Sequence, residues 1–441
     1  MRKRTVSAHT LVEYAAFVGI DWADQKHTCS LQAVGSNLVE RCELENSPEA
    51  VQRWAADLAR RFNGQMVAVA LEQPRGAVVA LLTNYPHLAI HPVHSSTLDH
   101  YRKSFRPSGA KDDSSDADLI LDLLQRHRER LEPLPPQADV ARSLQLLVEG
   151  RRKMVDEKTR LSNRLTDSLK QAFPQVLKWF DDVASVLVGD LLLRWPTLAE
   201  LQKAPPGAVR DFLHQYNCRR QERIEQCLLQ IPTAVPATGH AGLLLAGTVA
   251  IQSQVRLIAE LRAAIQRYDE SIAQMVSTHP DFFIVDSLPG VGTALAPRIL
   301  AALGSNRDRF ASASELQCFT GVAPVVQSSG KQRWVHWRWA CSQFLRQTFH
   351  EWALHSIPRS DWAREFYGQQ RQRGKSHHAA ARALAFKWQR ILYRCWKDRQ
   401  PYHEQIYLQA RHKRGLPSSA GETDANAPAE QSARGPAQAG G

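Results

Sequence analysis

Apolar residues recur with two different periods along the chain, and the change of period separates an α/β region from helical regions. Between residues 14 and 133, short apolar runs alternate with segments of helical spacing. Residues 17–20 and 28–31 predict a β-hairpin, and the continuously apolar residues 66–71 predict a strand buried on both faces. Further strands are predicted at 37–44 and 88–93, and helices at 47–58, at 76–85 and after residue 108. This part of the chain therefore predicts an α/β domain.

Two carboxylates directly follow apolar strands in this region. Asp21 ends the first run and Glu72 ends the run at 66–71. A carboxylate at the end of a buried strand is costly unless a cation or a donor satisfies it, so both residues are candidate metal ligands. Asp113 and Asp116 share one face near the start of the next helix, where the helix dipole favours negative charge. Taken alone, Asp21 is equally consistent with an exposed turn, and the helix acids with capping.

Beyond residue 134 the chain predicts long amphipathic helices. Residues 140–172 carry an apolar stripe opposite a basic face that includes Arg151, Arg152 and Lys158. Such a helix is typical of a coiled-coil or interdomain arm, and its basic face can track phosphates. A second amphipathic helix at 251–276 could pair with it as an antiparallel arm. Prolines interrupt residues 173–250, which predict short helices without assignable chemistry.

The last third of the chain combines glycine-rich turns with basic and aromatic residues. Residues 284–304 hold a Pro-Gly-Val-Gly turn, with Gly290 and Gly292, between two apolar helical segments. This pattern resembles a helix-hairpin-helix, whose turn lets backbone N–H groups approach a phosphate. Residues 319–338 then predict a loop followed by interleaved basic and aromatic side chains, an arrangement suited to nucleic acid. The basic candidates there are Lys331, Arg333 and Arg338.

Two further helices are predicted at 345–354 and 379–396, and the tryptophans of the second are expected in the core. The tail from residue 415 is rich in Pro, Ser, Ala, Gly and Gln and is predicted to be disordered.

Composition favours a polyanionic partner. The 441 residues carry a formal net charge of +12, with 56 Lys and Arg and 11 Trp, which together favour nucleic acid. The seven cysteines are scattered without a CxxC pair, so a reduced, cytosolic compartment is predicted and a zinc ribbon is not. No window is expected to span a membrane and no apolar export signal follows the basic N-terminus. The chain contains neither a Walker loop nor a G-x-G-x-x-G turn between a strand and a helix, so a nucleotide-dependent enzyme is not favoured.

Several of these motifs occur in an order that resembles a known family. Asp21 and Glu72 follow strands, a Lys-x-Asp-x-x-Asp-Ala box spans residues 111–117, and three glycine-containing motifs lie far downstream. Those three are the Leu-Pro-Gly-Val-Gly turn, the Phe-Thr-Gly-Val-Ala-Pro segment and Ser-Ser-Gly at 328–330. The set resembles the DEDD transposases of the IS110 insertion-sequence family, which includes the IS eleven-eleven branch and the pilin-gene DNA invertases.

The resemblance implies an α/β ribonuclease-H-like domain of the RuvC type, a coiled-coil arm and a mainly α C-terminal transposase domain. It implies that Asp21, Glu72, Asp113 and Asp116 hold Mg²⁺, that Ser329 is the nucleophile, and that an element-encoded bridge RNA chooses the site. Asp112 and Asp118 leave a one-place shift of the acidic box open, and Ser328 leaves the choice of serine open. The domain boundaries expected are 1–13, 14–133, 134–280, 281–400 and 401–441.

These observations predict a bacterial, cytoplasmic, nucleoid-associated DNA transposase that works as a dimer or tetramer with DNA and a bridge RNA. Two alternatives stay open. The first is a metal-dependent, structure-specific nuclease or an invertase without an RNA guide, in which Ser329 is an ordinary loop residue. The second is a nucleic-acid-binding protein without catalytic activity, which the intact acidic set argues against.

Overall fold

A computed structural model describes residues 13–72, 76–105, 113–131, 133–134, 139–218, 220–329 and 332–413. The chain divides into two compact units, Met1–Pro136 and Gln137–Gly441. The division falls at the prolines that follow the α/β pattern, whereas the predicted arm and the predicted C-terminal domain lie together in the second unit.

The first unit is built on a five-stranded sheet in the order β3-β2-β1-β4-β5. Its strands are β1 Ala16–Asp21, β2 Lys26–Ala33, β3 Glu40–Glu45, β4 Val67–Leu71 and β5 Leu88–Pro92. β1 pairs antiparallel with β2 and parallel with β4, and β4 pairs parallel with β5. Every residue of β4 is buried. This is expected, because β4 lies between two parallel neighbours and both of its faces are covered by helices.

Helices cover both faces of this sheet. They are α1 Pro48–Arg61, α2 Ala77–Leu82, α3 Ser95–Phe105 and α4 Asp113–His127, and a short 3-10 turn, Arg128–Arg130, follows α4. Ser47 caps α1 by accepting from the Ala50 N–H, and Pro48 occupies the first turn, as the sequence predicts. The core on one face contains Val18, Ile20 and Leu71. The core on the other face contains Ala68 and Ala70 with Ile120 and Leu124 of α4.

The first part of the second unit is a long helical pair with a bundle of short helices. The elements are α5 Asp139–Ala172, α6 Gln175–Trp179, α7 Val186–Arg194, α8 Leu198–Lys203, α9 Pro206–Gln215, α10 Gln221–Thr233 and α11 Ala241–Ser277. α5 and α11 run antiparallel, because Arg151 contacts Asp269 near one end and Ser168 contacts Gln254 near the other. The predicted antiparallel arm is therefore confirmed, and the proline-punctuated segment forms its own core with both long helices.

The helix α11 begins ten residues before the predicted start at residue 251. The added residues also bear on the expectation that no window of the chain could span a membrane. Residues 241–255 are uncharged, and among the described residues this helix is long and apolar enough to cross a membrane. The prediction that no window has this composition was therefore wrong. Length and composition alone do not assign a membrane span, and Ile251, Val255 and Ile258 are buried in the core shared with α5.

Where the structure describes it, the rest of the second unit is helical apart from one β-ribbon. Its helices are α12 Phe282–Asp286, α13 Gly292–Leu303, α14 Ala313–Phe319, α15 Gln343–Ser356, α16 Asp361–Gln372, α17 His377–Asp398 and α18 Glu404–Lys413, with 3-10 turns at Arg307–Arg309 and Ile357–Arg359. The ribbon consists of β6 Val325–Ser329 and β7 Gln332–His336. Trp352, Trp362, Trp388 and Trp396 are all fully buried, so the expectation that the α17 tryptophans form core is confirmed. The disordered tail predicted from residue 415 lies outside the described residues.

Candidate functional site

The carboxyl ends of β1 and β4 bring Asp21 and Glu72 together. The parallel register pairs Ile20 with Leu71, so the next residue of each chain, Asp21 and Glu72, occupies the same level on neighbouring strands. Adjacent strands lie about 4.8 Å apart. Because Ile20 and Leu71 face the α1 and α2 side of the sheet, the alternation of side chains directs both carboxylates to the other face, which α4 covers.

We call the edge of the sheet that carries Asp21 and Glu72 the acidic edge. The helix α4 runs antiparallel to β1, and its N-terminus lies toward the acidic edge. Gln125 contacts Gln32, which pairs with Phe17, whereas Asp118 contacts Ser30, which pairs with Gly19. Moving along β1 toward Asp21 therefore means moving along α4 toward Asp113. The helix dipole favours anionic groups at that end.

Gly19 permits this close packing of helix on sheet. A Cβ at Gly19 would lie 2.5 Å from the backbone N of Leu121, and closer still to the carbonyl of Ala117. No other residue type fits without moving α4. The glycine therefore sets the distance between the acidic edge of the sheet and the start of α4.

Asp116 is the most constrained of the four predicted acids. It is 2% exposed, and Arg102 of α3 donates to both of its oxygens, from Nε at 3.1 Å and from Nη2 at 2.9 Å. A bidentate guanidinium pair of this kind is a strong charge-assisted contact. The sequence does not single out Arg102, because nothing in the spacing of α3 distinguishes it from the neighbouring Lys103, which pairs at the surface with Asp99.

A second contact ties α3 to α4. The hydroxyl of Tyr101 donates to Asp122 at 2.6 Å. Burial, together with this bond and the charge of Asp122, raises the pKa of Tyr101 to about 12. The hydroxyl therefore stays protonated and keeps donating, and α4 is held by α3 on one side and by the sheet on the other.

The structure also separates Asp118 from the acidic edge. Its carboxylate accepts from Ser30 at 2.6 Å and from Arg41 at 2.7 Å. Burial by itself would raise the pKa of Asp118, but the hydrogen bonds from Arg41 and Ser30 outweigh it and lower the pKa. Both partners belong to β2 and β3 on the far side of β1, so a one-place shift of the acidic box toward Asp118 is unfavourable. Asp112 lies outside the described residues.

Metal-binding capacity follows from these positions. Asp21 and Glu72 offer hard oxygen donors at one strand level, the donor type that Mg²⁺ prefers. Among the described side chains no group of three His, Cys, Asp or Glu residues surrounds a common point, and the side chain of Asp113 lies outside that description. The two strand carboxylates thus fit a divalent cation, and the Asp116 carboxylate is held by Arg102.

The serine lies in a β-ribbon and not in the irregular loop that the sequence predicts. Ser329 pairs with Gln332 and Ser328 pairs with Arg333. Neighbouring strand residues point to opposite faces, so the two hydroxyls face opposite sides of the ribbon. Ser329 shares its face with Trp334, because Trp334 pairs with Gln327 two residues away. The loop prediction was wrong because the strand that begins at Val325 continues through both serines by backbone pairing with β7, and a Ser-Ser-Gly sequence does not mark that pairing.

The structure describes only some of the basic side chains that are predicted to contact nucleic acid at residues 319–338. Lys331 and the side chain of Arg333 lie outside the described residues. Arg338 donates from Nε to the carbonyl of Ala323 at 3.1 Å, so it braces the base of the ribbon. Trp339 is 81% exposed, which makes it available for stacking on a base.

The predicted phosphate-binding turn is only half open. A Cβ at Gly290 would lie 2.7 Å from the backbone N of Ser356, so this glycine permits close packing against the end of α15. Gly292 has φ +57° and no atom within 4 Å of such a Cβ. Only the Gly292 side of the turn is therefore open to a phosphate.

The basic arm is partly neutralised by acids. Arg151 pairs with Asp269 of α11, and Arg152 pairs with Asp156 at 2.9 Å and with Glu351 at 3.6 Å. These contacts join the two long helices to each other and to α15, so Arg151 and Arg152 hold the arm together. Lys158 is half-buried on the same helix.

Comparisons with known proteins match both units. A family described as the DEDD transposase of IS110 matches residues 18–174, and the transposase family IS116/IS110/IS902 matches residues 284–368. The mini-circle putative transposase for IS117 of Streptomyces coelicolor is 25% identical over 407 residues, 88% of this chain and 95% of that protein. A 42 kDa uncharacterized protein of insertion element IS900 of Mycobacterium paratuberculosis is 27% identical over 392 residues, 88% of this chain and 97% of its own length. The 43.6 kDa protein of insertion element IS110 of Streptomyces coelicolor is 25% identical over 404 residues, 89% of this chain and 97% of that protein.

Proposed function

The chain belongs to the IS116/IS110/IS902 family of insertion-sequence transposases, and from this premise we propose a site-specific DNA recombinase that uses Mg²⁺ and a serine nucleophile. The observation that carries the proposal is the level pairing of Asp21 and Glu72 at the edge where α4 begins. Carboxylates at the ends of two parallel strands, facing a helix N-terminus, suit the binding of a cation and a phosphate.

Asp21, Glu72 and Asp113, with Asp116 beside them, are the proposed metal-holding residues. When bound, Mg²⁺ supplies charge stabilisation at the phosphate during in-line displacement. The residues themselves keep the donors rigid, because two stand on a sheet and two on a helix packed against it through Gly19. Arg102 orients the Asp116 carboxylate and limits its freedom to turn.

Ser329 is the proposed nucleophile. Its oxygen attacks a phosphodiester phosphorus, one ester bond to the DNA breaks, and the leaving oxygen takes up a proton. One phosphoester bond forms as one breaks, so the phosphoserine link conserves the bond for rejoining without an external energy source. Trp334 is exposed and lies on the same face of the ribbon as Ser329. A base stacked on Trp334 would place its strand on the side from which Ser329 attacks, and this favours Ser329 over Ser328.

The partners are proposed on the same basis. DNA is the substrate of a transposase, and the net charge of +12 favours a second nucleic acid as well. We propose that this is an element-encoded bridge RNA that selects the site, that the chain works as a dimer or tetramer, and that it acts in the cytoplasm on the nucleoid.

Replacing Glu72 by Gln tests the metal-holding role. The change keeps the shape of the side chain and removes its charge, so strand cleavage in Mg²⁺ should fall by at least about a hundredfold, the range of a lost electrostatic contribution to the transition state. Circular dichroism and thermal unfolding should stay close to wild type. The matched control is Glu43→Gln, whose carboxylate pairs with Lys26 at the surface, and it should cleave normally. Normal cleavage by Glu72→Gln removes Glu72 from the site.

A metal-dependent nuclease of the resolvase type is the second candidate. The acidic edge is complete without any contribution from the serine, and Ser329 lies in a paired strand as an ordinary residue can. The nuclease cuts without a covalent intermediate. A protein–DNA adduct therefore distinguishes the two.

A further inference from the structure

Two helices and one tryptophan form a cationic cluster at the foot of the ribbon. On α15, Arg346 and His350 are four residues apart, and on α17, His378 and Arg382 are four residues apart. Each pair therefore lies on one face of its helix. We call these four residues, together with Trp337 between the helices, the Trp337 cluster.

Trp337 is in contact with cationic groups from both helices. The guanidinium carbon of Arg346 lies 4.6 Å from the ring centroid and that of Arg382 lies 4.3 Å away. The His350 ring packs edge-on at 5.8 Å. Cation–π contacts hold the two arginines in place beside the ring. The two guanidinium groups, one from each helix, are thus pre-positioned close to each other.

His350 has a buried ring nitrogen without a hydrogen-bond partner. Its Nε2 is buried and has no hydrogen-bond partner among the described residues. Burial lowers the pKa of His350 to about 4, and the charges of Arg382, Arg346 and His378 add to the effect. A buried polar atom without a partner is destabilising. An anion bound beside Arg346 and Arg382 would accept a hydrogen bond from Nε2 when that nitrogen carries the ring proton, and it would offset the repulsion between the two guanidinium groups.

We propose that the Trp337 cluster binds a backbone phosphate of the DNA strand on which Ser329 acts. The proposal rests on the function proposed above for the ribbon. Arginine guanidinium groups match phosphate oxygens with two parallel donors. Since the Trp337 ring is covered by the arginines, it is not available to a base, and the contact positions the strand without reading its sequence.

The position of the cluster sets its distance from the reaction. Trp337 follows β7 directly, and Gln332 at the other end of β7 pairs with Ser329. Five residues of extended chain span about 17 Å, and phosphates on one strand of a duplex rise about 3.4 Å each. The bound phosphate is therefore within about five nucleotides of the scissile one. This anchor fixes the strand against the ribbon before attack.

The test measures DNA binding with the full-length chain carrying Ser329→Ala, so that no adduct forms. Fluorescence anisotropy with a labelled 20-base-pair duplex is recorded over a range of KCl concentrations for Arg382→Gln and Arg346→Gln. Each lost phosphate contact should reduce the slope of log K against log salt by about 0.9 and weaken binding. The control is Arg364→Gln, which removes an equal charge from an exposed pair with Asp361, and its slope should equal that of the parent.

Arg382→Lys and His350→Gln keep the test independent of folding. If thermal unfolding shows that an Arg→Gln variant is unfolded, Arg382→Lys, which keeps the charge, should bind within about tenfold of the parent and His350→Gln should still weaken binding. Unchanged slopes in folded variants overturn the proposal. A reduced slope with labelled RNA but not with DNA also overturns it, because it assigns the cluster to RNA. Adduct formation is measured separately with Ser329 intact. An adduct there together with unchanged slopes refutes this inference alone, whereas reduced slopes with no adduct refute only the serine mechanism.

Discussion

At the scale of single residues, the Arg102–Asp116 pair is the contact on which the acidic edge depends most. Asp116 is almost fully buried and accepts two bonds from one guanidinium. Removing one partner of a buried pair leaves a charge without compensation, which costs more than the pair itself contributes. Asp116 is therefore constrained first by its protein partner and only then by any ligand.

Arg102→Ala should destabilise the first unit by about 3–5 kcal/mol. The measurement is urea unfolding in the presence of a chelator, so that no metal compensates the buried carboxylate. Lys103→Ala is the matched control on the same helix, because Lys103 pairs with Asp99 in solvent, and its effect should be below about 1 kcal/mol. Equal effects of the two changes would mean that the Asp116 carboxylate is solvated or held by other groups.

At the scale of elements, the packing of α4 on β1 positions the candidate site. The apolar runs of β1, β4 and β5 predict these strands, because the runs are short and bounded by polar residues. The apolar stripe from Leu119 to Leu124 predicts α4. The close approach at Gly19 is not predictable from the sequence, since a single glycine in a strand has several explanations.

Gly19→Ala tests the packing. The new Cβ would overlap the backbone of Ala117 and Leu121, so α4 must shift, and cleavage should fall at least about tenfold with a loss of about 1–3 kcal/mol in stability. Gly368→Ala in α16 is the control, because nothing lies within 4 Å of its added Cβ and alanine is the better helix former. Full cleavage by Gly19→Ala would show that the spacing between α4 and the sheet is not needed.

Elements of the second unit show where sequence patterns fail. The helix α11 was predicted from residue 251 because the amphipathic stripe begins there, yet the helix starts at Ala241. The first ten residues contain no charge and no buried side chain, so neither periodicity nor charge pattern marks them. The ribbon is hidden for another reason. Its strand-favouring residues, Val325, Val326, Trp334 and Val335, are interleaved with Gln, Ser and Arg, and the pairing between β6 and β7 is a tertiary property that the sequence does not mark.

At the scale of the whole molecule, the order of motifs carried more information than any single motif. Asp21, Glu72, the acidic box and the downstream glycine motifs each have ordinary structural explanations. Their order pointed to the transposase family that the comparisons support over both units. Side-chain partners such as Arg102, and the Trp337 cluster, stay invisible at that level because they depend on which helices pack together.

A covalent bond between Ser329 and DNA distinguishes a recombinase from a nuclease, and it can be trapped directly. Full-length protein is incubated in Mg²⁺ with a suicide duplex whose nick prevents religation, the adduct is digested with protease and nuclease, and the modified peptide is sequenced by mass spectrometry. Ser328→Ala and Ser329→Ala are run in parallel, since the two hydroxyls face opposite sides of the ribbon. We expect a phosphopeptide modified at Ser329, present in Ser328→Ala and absent in Ser329→Ala. Cleavage of the substrate without any adduct, or with an adduct at Ser328, would rule out Ser329 as the nucleophile.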